Sequence, residues 1–239
     1  MRIIQKLADN RNMSGITIAF LGDSVTQGCF ELYRDKENTI VPVFDQNSTY
    51  HEYLRRILSM LYPAVPVTMI NAGISGDCAP CGYERLERDV LQYRPDLVVV
   101  CYGLNDVTKG AEGLEIYCRA LTNIFKRLKE AGIEIVFMTP NMMNTYVNAH
   151  DMDDEMKSLA DLSARLQTEG SMDTYVAAAR EVCRQQGVTV CDCYAKWKRL
   201  HEVGVNVTEL LSNKMNHPTR EMNWLFAVSL LQTIIEKDR

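Results

Sequence analysis

Short apolar runs along this chain alternate with longer stretches in which apolar residues return every three or four positions. Five runs, at 16–21, 67–71, 97–102, 133–139 and 188–193, are rich in Val or Ile and have the length of strands covered on both faces. The segment "YHEYLRRILSMLY" follows Thr49, with Glu52 placed for a capping box, and Tyr50, Leu54, Ile57, Leu58 and Leu61 share one helical face. Leu114, Tyr117, Leu121, Ile124, Phe125 and Leu128 form a second stripe, which Gly132 terminates. Further helices are expected over about 172–186, stopped by Gly187, and over about 218–236. Parallel strands need covering crossovers, so this alternation predicts a three-layer α/β/α sandwich around a five-stranded, mainly parallel sheet, flavodoxin-like in outline.

No internal repeat, low-complexity tract or Pro/Gly/Ser-rich linker divides the chain, so residues 1–239 read as a single domain. One stretch breaks the rhythm. Between Pro140 and Met172 lie about 30 residues, too many for an ordinary loop, and "NAHDMDDEMKSLADLSARL" reads as a helical insertion at about 141–171 over the carboxyl edge of the sheet. A lid or specificity element and a solvated acidic decoration both fit it. Its cluster of Asp151, Asp153, Asp154 and Glu155 lacks the glycine and the spacing of a calcium loop.

With 239 residues, 46% of them hydrophobic and 24% charged, the chain can bury a sizeable core. Its net charge of -5 and scattered basic residues disfavour nucleic acid or an anionic membrane as partner and leave a small molecule. Gln5, Lys6 and Asp9 interrupt any secretory h-region and no later run has membrane-spanning length, so a cytoplasmic protein is expected. Of 8 cysteines, Cys29, Cys101, Cys118 and Cys183 lie in or beside apolar stretches. Cys78 and Cys81 have redox or metal spacing. Cys191 and Cys193 make a poor second ligand pair, and the motif does not open a thioredoxin-like unit, so reduced thiols are favoured over a disulfide and no metal or cofactor is expected.

The strand ends carry the chemistry. The first run leads into Gly22-Asp23-Ser24, the second into Asn71-Ala72-Gly73 and the third into Gly103-Leu104-Asn105-Asp106, while Asn216-His217-Pro218 opens the last expected helix. Open α/β sheets bind ligands at this carboxyl edge. Helix capping alone could account for Asp23 and Ser24. Thr26 stands where a Gly-x-Ser-x-Gly elbow would have its final glycine, which argues against an α/β-hydrolase. His51, His150 and His201 adjoin none of these motifs and read as packing or surface residues.

Taken together, Ser24, Gly73, Asn105 and His217 occur in an order that resembles the SGNH hydrolases, the GDSL esterase/lipase family. The resemblance implies that Ser24 is a nucleophile activated by His217, and that an oxyanion hole is formed by the backbone N–H groups of Ser24 and Gly73 with the side-chain amide of Asn105. The chemistry is sound: a serine hydroxyl needs a base, and fixed donors aimed at a developing oxyanion are worth orders of magnitude in rate. Asp23 and Thr26 are expected to brace the turn. The pattern departs at the third triad member, because relatives carry an aspartate three residues before the histidine and Lys214 stands there. A Ser-His dyad whose ring is oriented by a backbone carbonyl or by Asn213 is favoured; an acid recruited from Glu209 or Asp192, or a weakened enzyme, are the alternatives. Without a triad acid, the His217 pKa is not expected to be raised.

The resulting expectation is an esterase removing short acyl groups, acetyl above all, from a carbohydrate or other polar small molecule. Relatives include sugar acetylesterases, lipases, lysophospholipases and thioesterases, and the insertion shows no long apolar stripe, although it holds Met142, Met143, Met152 and Met156. A lysophospholipase or acyl-CoA thioesterase, and a non-catalytic binder of acylated glycans, are the alternatives. A flavodoxin-like nucleotide binder is disfavoured by the lack of a Gly-rich phosphate cradle.

Overall fold

The computed structural model describes residues 2–148, 150 and 152–236. Its strands are β1 (Ile16–Gly22), β2 (Cys29–Arg34), β3 (Ile40–Phe44), β4 (Val67–Gly73), β5 (Leu97–Cys101), β6 (Glu134–Met138) and β7 (Thr189–Cys191). Five of them form one parallel sheet in the order β4-β1-β5-β6-β7, with helices on both faces, as the alternating pattern predicts. Every residue of β5, Leu-Val-Val-Val-Cys, is buried, which explains its unbroken apolar run.

The Tyr50–Leu61 helix packs against the Asn223–Glu236 helix, and the Gly110–Glu130 helix packs against Ser171–Gln186. At the start of the first of these, the Thr49 hydroxyl accepts the Glu52 N–H. Glu52 does not complete the capping box; its carboxylate pairs instead with Arg55 and Arg56 one turn on. An unforeseen helix, Arg2–Ala8, is anchored by buried Ile3 and Leu7 and by Lys6, whose ammonium lies 2.6 Å from Asp96.

Strand register positions the site. Gly22 pairs with Gly73 on one side and with Cys101 on the other, so β4, β1 and β5 end level. The chain runs from β1 out to β4 and then crosses back to β5, and this reversal leaves a crevice beyond the carboxyl end of β1.

Three further segments differ from the sequence expectation. β2 and β3 form an antiparallel ribbon outside the main sheet, closed by Asp35, whose carboxylate accepts the N–H groups of Glu37 and Thr39. Its charged residues and Pro42 hide the alternation, and only Cys29 and Phe30, at the start of β2, are buried. The run at 188–193 ends early because Asp192 caps a new helix, Cys193–Glu202, by accepting the Ala195 N–H. The last helix begins at Asn223 rather than near 218, because a bridge between Leu211 and Pro218 holds the preceding segment in a closed loop. The insertion at 141–171 contains the helix Asp154–Thr168, capped by Asp153; Asp151 lies outside the described residues.

Close approach at the sheet edge makes a prediction. A Cβ added at Gly73 would lie 2.2 Å from the Gln27 backbone nitrogen and 2.7 Å from the Thr26 carbonyl carbon. Because backbone cannot swing aside, Gly73→Ala is expected to cost about 1–3 kcal/mol, read as a lower urea midpoint by circular dichroism. An unchanged midpoint would contradict this packing.

Candidate active site

β1 ends at Gly22, and the chain turns at once into the one-turn helix Ser24–Gln27. Asp23 caps it by accepting the Val25 N–H at 3.0 Å, and Gly28, at φ 94°, closes it in the left-handed region. The Thr26 and Tyr50 hydroxyls share a hydrogen bond of 2.9 Å beneath the turn. Burial pushes the Asp23 carboxyl up to about 7, against the lowering effect of the Val25 N–H. Asp23 and Thr26 thus shape the turn that presents Ser24.

His217 comes from the loop closed by the Leu211–Pro218 bridge. Its carbonyl accepts the Ser212 N–H at 2.7 Å. Inside the loop, the Asn213 side-chain oxygen accepts three backbone N–H groups, from Met215, Asn216 and His217, at 2.9–3.0 Å. Asn213 therefore orients the backbone of the loop, and not the imidazole ring as the sequence reading allowed. The ring is oriented by a backbone carbonyl: His217 Nδ1–H donates to Phe30 O on β2 at 2.9 Å. A carbonyl can only accept, so Nδ1 carries the proton and the Nε2 lone pair faces Ser24, whose hydroxyl donates to it at 2.9 Å.

No carboxylate hydrogen-bonds to this ring among the described residues. Glu209 pairs with Lys214 at 2.8 Å, and Asp192 with Arg180 at 2.9 Å, so neither acid weighed from the sequence is recruited. Burial is the main influence on His217 and pulls its pKa down to about 4, only partly offset by the Phe30 carbonyl and the Glu31 charge. His217 precedes a bridge and a turn rather than opening a helix, so a helix dipole is not the cause.

Ser24, His217, Asn105 and Gly76 line one cavity of about 270 Å³. Asn105 donates one amide hydrogen to the Asp77 carbonyl at 2.8 Å, which orients the side chain and leaves its second hydrogen free of that bond. Gly73 is the correction. Its N–H is spent on the Asn71 side-chain oxygen at 3.0 Å and it does not line the cavity; it is glycine because β4 packs there against the Ser24 turn. Three residues on, Gly76 does line the cavity, at φ 77°, and its N–H has no hydrogen-bond partner among the described residues. The sequence signal lay in Ser75-Gly76-Asp77, beyond the strand end rather than inside it.

Arg85 is a further residue that sequence reasoning missed. Its buried guanidinium donates to Gly22 O at 3.0 Å and Ala72 O at 2.7 Å and pairs with Asp77, so it joins the ends of β1 and β4 to the loop carrying Gly76. The remaining histidines stay apart: His51 is buried with Nε2–H donating to Thr26 O, while His150 and His201 are exposed. All 8 cysteines are free; the Cys78 and Cys81 sulfurs lie 3.0 Å apart, and burial pushes the Cys78 thiol up to about 12. Among the described residues, no group of three or more His, Cys, Asp or Glu side chains could hold a metal ion. No helix there is long and apolar enough to cross a membrane.

A family model described as GDSL-like Lipase/Acylhydrolase family matches residues 20–225. An acetylxylan esterase of Geobacillus stearothermophilus is 27% identical over 149 residues, 59% of this chain and 64% of that protein. An arylesterase of Vibrio mimicus is 35% identical over 72 residues, 30% of this chain and 36% of that protein. The chain thus matches less than two thirds of the length of either curated relative. In fold, it is similar to a crystal structure of the Geobacillus acetylxylan esterase, with TM-score 0.68 and 21% identity, covering 92% of this chain and 94% of that one. An α/β hydrolase enzyme from the Lake Arreo metagenome gives TM-score 0.67 at 21% identity, covering 92% and 95%. Forms of the Geobacillus protein described as catalytic mutants replace a serine, an aspartate, and a histidine three positions after that aspartate.

Two outcomes follow from the geometry. With its pKa lowered to about 4, His217 stays an unprotonated base far into acid, so kcat/KM for ester hydrolysis should hold as pH falls and drop only through about 4. An acid limb near the ordinary histidine value of about 6.5 in the pH–rate profile would contradict the buried, carboxylate-free setting. Removing the acceptor in Asn213→Ala should loosen the loop and lower kcat/KM by up to about 100-fold, while Asn213→Asp, which keeps an acceptor, should lose much less. Equal losses in both variants would show that the three N–H contacts do not position His217.

Proposed function

The chain belongs to the GDSL-like lipase/acylhydrolase family, and from that premise we propose that it is a serine esterase working through a Ser24–His217 dyad. The observation that carries this reading is the continuous hydrogen-bond chain from Ser24 Oγ–H to His217 Nε2 and from His217 Nδ1–H to the Phe30 carbonyl. It favours turnover over passive binding, because a bound glycan has no need of a serine aligned on a buried imidazole.

In the proposed reaction, His217 Nε2 takes the Ser24 proton as Oγ attacks the ester carbonyl. The carbonyl oxygen becomes an oxyanion and accepts hydrogen bonds from the Ser24 N–H, the Gly76 N–H and the free amide hydrogen of Asn105. The imidazolium returns its proton to the departing alcohol oxygen, leaving acyl-Ser24. Water then attacks this acyl group by the same steps in reverse roles and releases the carboxylic acid. A carboxylate would stabilise the imidazolium with a full charge; here the Phe30 carbonyl dipole and the more distant Glu31 do so, which supports a dyad of modest rate.

We infer short acyl groups, acetyl among them, from the small cavity and from the likeness to an acetylxylan esterase. That likeness also supports an acetylated carbohydrate as substrate, while the arylesterase likeness supports an ester of an apolar alcohol. A cytoplasmic setting is supported by 8 cysteines that form no disulfide.

The test is hydrolysis of p-nitrophenyl acetate by wild type, Ser24→Ala, His217→Ala and Asn105→Ala. The first two variants should lose at least about 1,000-fold in kcat/KM and Asn105→Ala about 100- to 1,000-fold, with circular dichroism unchanged. Equal rates for wild type and Ser24→Ala would overturn the assignment.

A further inference from the structure

One wall of the Ser24 cavity takes no part in the chemistry described above. On the Asp154–Thr168 helix, Leu159, Leu162 and Leu166 fall at i, i+3 and i+7, and they line the cavity with Leu32, Met143 and Met215. The sequence reading found no such stripe in the insertion; the structure supplies it. Leu159 and Leu162 remain 45% and 40% exposed, so this wall is open to a bound group. Of the described residues lining the cavity, none is charged and none but His217 carries a ring, so the charges and flat stacking surfaces that grip sugars are missing.

The wall belongs to the His217 side of the site. Ser163 Oγ–H donates to Met215 O at 3.3 Å, and Asn144 bridges helix and loop by donating from its side chain to Ala160 O and from its backbone to Met215 O. The start of the helix is tied to the end of β2, the strand that carries Phe30, by Arg34 with Asp153 at 2.6 Å and Glu155 at 2.7 Å. The oxyanion donors, Gly76 and Asn105, come from the loops after β4 and β5 instead. In ester cleavage, the group that receives a proton from His217 is the leaving alcohol, so the alcohol must lie on the histidine side.

Resting on the esterase reading, we propose that Leu159, Leu162 and Leu166, with Leu32 and Met215, form an alcohol subsite. The substrates are then short-chain acyl esters of apolar alcohols, alkyl or aryl, rather than acylated sugars. The leucines contact the alcohol part of the substrate and select it by burial.

The experiment uses the full chain and two ester series: acetates of straight primary alcohols from ethanol to hexan-1-ol, and ethyl esters from acetate to hexanoate, with an acetylated xyloside alongside. Straight primary alcohols differ little as leaving groups, so the first series reads packing. Each buried methylene should raise kcat/KM about fourfold, the rate equivalent of about 0.8 kcal/mol, making hexyl acetate on the order of 100-fold better than ethyl acetate. The acyl series should stay flat or fall, and the xyloside should be the poorer acetate donor. In Leu159→Ser/Leu162→Ser, the hexyl-to-ethyl ratio should collapse to below about 10. A wild-type ratio near one, a rise along the acyl series instead, preference for the xyloside, or a double variant that keeps the full ratio would each overturn the subsite. Absence of turnover on every ester would overturn the esterase reading itself and the subsite with it.

Discussion

The 2.9 Å hydrogen bond from His217 Nδ1–H to the Phe30 carbonyl governs the rest of the site. It does by geometry what a triad acid does by charge, since an acceptor at Nδ1 leaves the Nε2 lone pair for the serine proton. What it does not supply is a negative charge. The imidazole is therefore held buried and neutral, and in the proposed dyad the stabilisation of its cation is left to a dipole and to Glu31 at longer range. The carbonyl is itself held firmly: Arg220 pairs with Glu31 and lies 4.4 Å from the Phe30 ring centroid, so the ribbon that presents the carbonyl is clamped from the segment just after His217. Lys214 stands three residues before His217, the spacing that separates the aspartate and histidine replaced in the Geobacillus catalytic mutants, yet its ammonium is turned away to Glu209.

The Ser24 half of the site depends on strand ends. β4, β1 and β5 finish level, and the three loops that follow bring Gly76, Ser24 and Asn105 around one crevice. Arg85 makes this arrangement a unit by donating to carbonyls of both Gly22 and Ala72 while paired with Asp77, whose own carbonyl orients Asn105. A buried guanidinium of this kind is costly to leave unpaired, which is why its partners are so fully satisfied.

Much of this was legible in the chain. The five apolar runs mark the sheet because parallel strands buried on both faces have little choice of composition, and Ser24, Asn105 and His217 stand out as polar residues at the ends of such runs or before a proline. The β2–β3 ribbon was not legible, since its strands carry Glu31, Arg34 and Pro42 and bury only Cys29 and Phe30. With it went Phe30 O, which as a backbone atom leaves no trace in residue type. Gly73 drew attention as the glycine at a strand end, but its role is close packing, and the cavity glycine is Gly76 in the loop beyond. Leu159, Leu162 and Leu166 sit among Asp and Ser residues, so their common direction emerges only once the helix is seen against the His217 loop.

The proposed reaction divides the work across this site: small donors on one side for the acyl carbonyl, a neutral histidine on the other, and an apolar wall beyond it. The dyad stands or falls on the state of that histidine. Long-range proton–nitrogen NMR of the imidazole rings, assigned with His217→Gln and followed from about pH 8 down to about 4, reads tautomer and titration together. A dyad requires a neutral ring protonated at Nδ1 across the neutral range, titrating at about 4. A ring protonated at Nε2, or an imidazolium forming at or above about 6.5, would contradict it.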